Sequence, residues 1–214
     1  MIVSVVNTKG GVGKSTLGFN LAVARALAGK DVWLINGDKQ RTALQAVAQR
    51  ISSGRQPVIQ AAHYPDGAML RAQVEAQSKK FDDVVIESGG RDNTSMRASI
   101  MVADKVIIPL IPRNPELWAM DELWAVLNEA IELRPSIECY AVLNMGKPTG
   151  KANATALEYV ASSFPAIKIM AAQIMKRDLI DDCFGEGMSV IEYPKAHKAK
   201  DEMAAFVNEV FNSK

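Results

Sequence analysis

A chain of 214 residues, 48% of them hydrophobic, is long enough for one domain with a sizeable core, and its composition excludes a low-complexity or fibrous protein. Its 25 basic and 24 acidic residues leave a formal net charge of +1, so no global field draws it to nucleic acid, and any such contact must come from a local patch. Cys139 and Cys183 are far apart and form no C-x-x-C pair, which excludes a disulfide framework and a cysteine zinc site; with no signal peptide and no apolar run near the roughly 20 residues of a membrane span, a cytoplasmic protein with reduced thiols is expected.

Residues 2–6 read as an apolar strand, and the chain is expected to carry no helix-turn-helix domain ahead of it. The strand leads into Lys9-Gly-Gly-Val-Gly-Lys-Ser-Thr16, and residues 17–27 follow with helical spacing. Strand, glycine-rich loop, Lys-Ser and helix is the context of a phosphate-binding loop. The glycines let backbone N–H groups turn inward as an anion nest, and the helix presents its positive end to the same point. Gly10, Gly11, Val12, Gly13, Lys14, Ser15 and Thr16 are therefore the expected phosphate-binding residues, with Lys14 at the β- and γ-phosphates and the Ser15 hydroxyl on Mg²⁺. The loop departs from G-x-x-x-x-G-K-[ST]: Thr8 stands at the place of the first glycine, and Lys9 adds a second basic residue.

A second strand at 31–35 runs into Asn36-Gly-Asp-Lys-Gln40. Helical spacing follows at 41–51, a short strand at 57–61 and a helix at 67–78. A buried strand at 83–86 ends in Glu87-Ser-Gly-Gly90 and is followed by a helix at 94–102. The strand at 105–110 contains Pro109, which predicts a distorted end. A long helix at 115–133 carries Trp118 and Trp124, read as core or interface anchors. A strand at 139–143 ends in Asn144-Met-Gly146; a helix at 153–162, a short strand at 167–170 and a closing helix at 202–211 complete the chain. Near-continuous apolar strands separated by helices predict an α/β fold, a doubly wound, mostly parallel sheet with helices on both faces, and the absence of linkers predicts a single domain over 1–214. Ligands of such sheets bind beyond the carboxyl ends of the strands, which singles out Asp38, Glu87 and Asn144. Plainer alternatives stand beside each: a turn or capping aspartate, a strand-end carboxylate without a ligand, a turn asparagine.

The arrangement K-G-G-x-G-K-[ST] resembles the deviant Walker A loop of the ParA/MinD family of P-loop ATPases. The resemblance covers essentially the whole chain and is strongest at 1–40, 82–112 and 174–194. It implies ATP or ADP with Mg²⁺ as cofactors. It also implies a homodimer when ATP is bound, in which Lys9 reaches across to the other protomer's phosphates. Asn36–Gln40 is similar to the family's D-x-D-P-Q segment, with Asn36 for the first Asp and Lys39 for the Pro; Asp38 then lies near the attacking water and Mg²⁺. Lys9, Lys14 and Asp38 are the catalytic residues so implied, and Ser15, Asp38 and Glu87 the metal residues, Glu87 standing where the family writes Asp. Gly89 and Gly90 give a γ-phosphate-sensing loop its freedom. Asn144 is implied to read the adenine edge, with Pro194 packed beneath the base. The segment leading to Pro194 has the family's form of an Arg-containing helix, a small loop and a strand-like V-x-E-Y.

The chain is most similar to small plasmid-partition ATPases of the ParF kind. That implies an ATP-bound dimer on nonspecific nucleoid DNA, released when a centromere- or cargo-binding partner (ParB/ParG-like) stimulates a slow hydrolysis. Lys195, Lys198 and Lys200 are cations of the expected DNA surface, yet from 140 to 214 basic and acidic residues match one for one, so an ordinary solvated surface is nearly as good a reading. A ligase of the dethiobiotin synthetase type shares the loop, and a low-turnover nucleotide-dependent adaptor fits the departures at Asn36, Lys39 and Glu87. A MinD-like membrane oscillator is disfavoured by the mildly acidic tail at 201–214, so no membrane partner is expected. A reductase of the nitrogenase iron-protein kind is disfavoured by the lack of cysteine between 87 and 135.

Overall fold

The structure, a computed structural model, describes residues 1–90 and 92–212; for residues 114–119 it gives the backbone only. Strands β1 (Ile2–Val5), β2 (Val32–Asn36), β3 (Gln60–His63), β4 (Asp83–Glu87), β5 (Lys105–Leu110), β6 (Glu138–Gly146) and β7 (Ile167–Met175) form one sheet in the order β3-β2-β4-β1-β5-β6-β7. Every strand pairing in it is parallel. The helices are α1 (Lys14–Leu27), α2 (Thr42–Ser52), α3 (Gly67–Gln77), α4 (Thr94–Val102), α5 (Asn114–Leu133), α6 (Ala152–Ser163), α7 (Asp178–Gly185) and α8 (Lys198–Asn212). The predicted α/β fold, a parallel sheet between two helical layers, is the one observed.

Alternation along the strands divides the core. Val3, Val5, Val85 and Ile107 pack with Leu17, Phe19 and Leu21 of α1 and Met203 and Phe206 of α8. Their neighbours Val106 and Ile108 pack with Met96, Ile100, Leu123 and Leu127 of α4 and α5. Val84 and Ile86 join Leu70 and Val74 of α3 on that same side. A strand covered on both faces has no polar side to show, which is why β2, β4 and β5 are buried throughout. Trp124 is half-buried beside Phe164, with ring centroids 5.6 Å apart, as a core anchor; the Trp118 side chain lies outside the described residues. Both cysteines are free and buried, and burial pushes the Cys139 thiol up to about 11.

Several boundaries differ from expectation. The short strand lies at Gln60–His63 rather than 57–61, because an edge strand reading Gln-Ala-Ala-His has little apolar signal. β6 and β7 run on to Gly146 and Met175 through register shifts at Leu143 and Gly146 that alternation cannot show. Pro109 does not distort β5: pairing to β1 ends at Ile107, while Pro109 keeps its place beside Val142 of β6. The V-x-E-Y segment is not a strand; Val190–Glu192 forms a 3₁₀ turn, closed by a capping box in which the Ser189 and Glu192 side chains each bond the other's end of the turn.

β1 lies at the centre, between β4 and β5: the chain runs out to β3 on one side, returns to β4 beside β1, and then reverses to wind outward through β5, β6 and β7 on the other. That reversal opens a crevice at the carboxyl ends of β1, β2 and β4.

Candidate nucleotide site

The loop between β1 and α1 is pinned at both ends. Asn7 donates its side-chain amide to the Pro109 carbonyl (2.9 Å) and accepts the Lys9 N–H on its side-chain oxygen (2.9 Å). Asn144, at the end of β6, donates to the Val12 carbonyl (2.8 Å). Gly13 has φ +88° and packs so closely that a Cβ there would fall 2.3 Å from the Asn144 amide nitrogen; both facts require glycine. α1 starts at Lys14 without a side-chain cap, so its first N–H groups remain available to an anion.

Beyond this loop lies a cleft of about 230 Å³. Gly10, Gly11, Gly13, Lys14, Ser15, Thr16, Asp38 and Glu87 all line it, so most of the residues marked in the sequence meet at one place. Val12 is buried and offers only its carbonyl to Asn144, while Lys9 has an exposed side chain on the loop above. Gln40, Thr42 and Met145 also line the cleft. Thr42 and Met145 carried no sequence signal; Met145 has φ +52°, a left-handed conformation rare for its residue type.

Lys14 is 5% exposed and donates to the Lys9 carbonyl (2.7 Å). Burial lowers its pKa, against the opposing pull of the Glu87 and Asp38 charges. Glu87 is 1% exposed. Its Oε1 accepts from the Ser15 hydroxyl (2.9 Å) and its Oε2 from the Asn36 amide. Burial raises the Glu87 carboxyl to about 7, helped by the Asp38 charge and opposed by the Ser15 hydrogen bond, by Lys14 and by Asn36. Asp38 accepts the Gln40 N–H on Oδ1 (3.1 Å), and its carbonyl lies 3.0 Å from His63 Nε2 at the end of β3. The loop after β4 rests on both neighbours: a Cβ on Gly90 would be 3.2 Å from the Gly10 backbone and 3.3 Å from Lys14 Nζ, and one on Gly89 would be 3.8 Å from Asp38.

Asn144 also lines a smaller hollow that adjoins the cleft through Thr16 and Met145, together with Leu17, Met175, Lys176 and Arg177. Pro194 lines neither space; it is exposed on the connection from the 3₁₀ turn to α8. Of the cations in the C-terminal region, Lys200 donates to the Tyr193 carbonyl and Arg177 is paired with Glu202, whereas Lys195 and Lys198 are exposed. The glycine turn fits a polyphosphate, and the oxygens of Ser15, Asp38 and Glu87 fit a hard cation such as Mg²⁺. No helix among the described residues is long and apolar enough to cross a membrane.

The profile of the CobQ/CobB/MinD/ParA nucleotide binding domain matches residues 3–190. The chain is similar to "Maintenance of carboxysome distribution protein A" of Halothiobacillus neapolitanus, 24% identical over 217 residues, which takes in 98% of this chain and 96% of that protein. Among solved structures it is similar to apo McdA of Cyanothece, with a TM-score of 0.78 at 16% identity, covering 97% of this chain and 98% of the other. It is also similar to cobyrinic acid a,c-diamide synthase of Mycobacterium smegmatis with a bound ATP analogue and magnesium (TM-score 0.76, 14% identity, 100% and 96% covered). At these identities the structural likeness speaks for the fold alone.

Proposed function

The chain belongs to the CobQ/CobB/MinD/ParA nucleotide-binding family, and from that premise we propose that it is a ParA-type positioning ATPase that binds ATP with Mg²⁺ and closes into a dimer on nonspecific DNA. A partner protein on the cargo then stimulates hydrolysis and release. The observation that carries this reading is the meeting of Lys14, Asp38 and the 87–90 loop at one cleft, with a second lysine, Lys9, exposed on its rim.

Each residue has a task that its position allows. The amides of Gly11 to Ser15 hold the phosphates, and Lys14 supplies a desolvated charge to them. Asp38 accepts a hydrogen bond from the attacking water and orients it for in-line displacement. Ser15 and Glu87 would hold Mg²⁺, which when bound would neutralise charge on the phosphates. Lys9 extends to a second protomer's nucleotide, so that the phosphate chain bridges the dimer. Gly90 packs against Gly10 and Lys14, so the 87–90 loop has a way to register the γ-phosphate and pass it to α4. DNA contact is assigned to cations such as Lys195 and Lys198, doubled by dimerisation. Asn144 and the hollow beside it are assigned to the base; Pro194 contributes only if the connection carrying it moves.

The test is binding to nonspecific duplex DNA at one moderate salt concentration, with ATP, with ADP and without nucleotide. Binding with ATP only is the expected result. No DNA binding in any state overturns the partition role and leaves a metabolic ATPase of the same fold.

A further inference from the structure

Asn36 is fully buried at the end of β2, directly opposite Glu87 in the β2–β4 register. Both backbones are fixed there: the Asn36 carbonyl accepts from Tyr64 N–H (2.9 Å), and the Glu87 carbonyl from Gly37 N–H (2.7 Å). The Asn36 amide donates to Glu87 Oε2, and Ser15 holds the other carboxylate oxygen. Asn36 Oδ1 is buried with no hydrogen-bond partner among the described residues. Such an orphaned acceptor costs stability, and an aliphatic side chain in the same space would avoid that cost. Packing therefore does not account for an asparagine at this position. Asn36, which lacks the carboxylate of the family pattern, and Glu87, which is one methylene longer than the Asp of that pattern, are the two that touch. A carboxylate at 36 would face the Glu87 carboxylate in a buried pocket, where like charges repel and neither offers a donor.

We propose that Asn36 is a positioning residue: its amide holds the Glu87 carboxylate against Ser15, in the orientation in which the two present oxygens to Mg²⁺. An amide at 36 and a carboxylate at 87 form one unit, and neither is replaceable alone. The magnesium part of this inference rests on the function proposed above; the pairing does not.

Two measurements test it on the whole chain. The first is a thermal unfolding cycle without nucleotide at pH 8, comparing wild type, Asn36→Asp, Glu87→Gln and the double variant. Asn36→Asp is expected to lower Tm by about 5 °C or more, and Asn36→Asp/Glu87→Gln, which restores one amide and one carboxylate in exchanged places, to recover most of that loss. Additive effects, or an Asn36→Asp variant as stable as wild type, overturn the pairing. The second is the Mg²⁺ dependence of ADP binding. Asn36→Leu is expected to raise the half-saturating Mg²⁺ concentration about tenfold or more, the usual scale for losing an outer-shell partner, while Mg²⁺-free ADP affinity stays within about twofold. An unchanged Mg²⁺ requirement, or an equal loss with and without the ion, overturns the positioning role. If wild type binds no ADP at all, the assignment of the cleft fails, and the thermal cycle still decides whether Asn36 and Glu87 act as one unit.

Discussion

Glu87 shows what one buried carboxylate costs the protein before any ligand arrives. Its pKa in the fold, about 7, lies above the ordinary 4.5, so between those values the native state binds more protons than the unfolded chain. Stability is therefore lost as pH rises through that window, and the loss is complete above it. Glu87→Gln removes the titrating group. In protein free of nucleotide and Mg²⁺, its stability relative to wild type is expected to climb between pH 4.5 and 7 by about 3 kcal/mol, at about 1.4 kcal/mol per unit. Urea unfolding at pH 5 and pH 8 checks this; a difference that is flat with pH contradicts it. Lys14 and Ser15 could be picked out of the sequence because a phosphate loop is local, with every residue within one turn of its neighbours. The contact of Asn36 with Glu87 could not, since 51 positions separate them and only the strand register brings them together. The clash that forbids a side chain at Gly13 is likewise invisible in sequence, because its partner is Asn144.

Elements are tied to the site by side chains that the motifs do not advertise. Arg50 in α2 is fully buried and makes five hydrogen bonds: to the carbonyls of Gln56, Pro57 and Gly187 and, in two, to the Glu192 carboxylate. It joins the helix that begins at the cleft with Thr42 to the segment leading into α8. Glu192→Ala leaves that guanidinium without its counter-charge, and removal of one partner of a buried ion pair costs about 3–5 kcal/mol. Denaturant unfolding is expected to show a loss of that size; one below about 1 kcal/mol would mean that Arg50 finds water or another acceptor. The strands buried on both faces were legible as apolar runs. The edge strand β3 and the far ends of β6 and β7 were not, because Gln-Ala-Ala-His carries little apolar signal and a register shift leaves no mark in composition.

At the scale of the whole molecule, the sheet order places the Gly-rich loop, the Asp38 loop and the 87–90 loop on adjacent strands, although the chain visits them at distant points. α/β class and parallel winding followed from alternating strand and helix patterns, and the family match over residues 3–190 agrees with them. A protomer's sequence encodes its partner surfaces weakly, since an interface is only about as apolar as the rest of the surface. The balanced charge of the C-terminal third likewise hides any DNA face that two protomers make together.

Under the proposed function, nucleotide state sets assembly through Lys9 and Asp38. The most direct measurement is the solution mass by light scattering, with ATP and Mg²⁺ and then with ADP, for wild type, Lys9→Ala and Asp38→Ala. A dimer is predicted with ATP and a monomer with ADP, with Asp38→Ala held as the ATP dimer and Lys9→Ala monomeric while still binding ATP. A mass that is the same with ATP and ADP in the wild type and in Asp38→Ala, or an ATP dimer that forms without Lys9, would rule out this nucleotide switch.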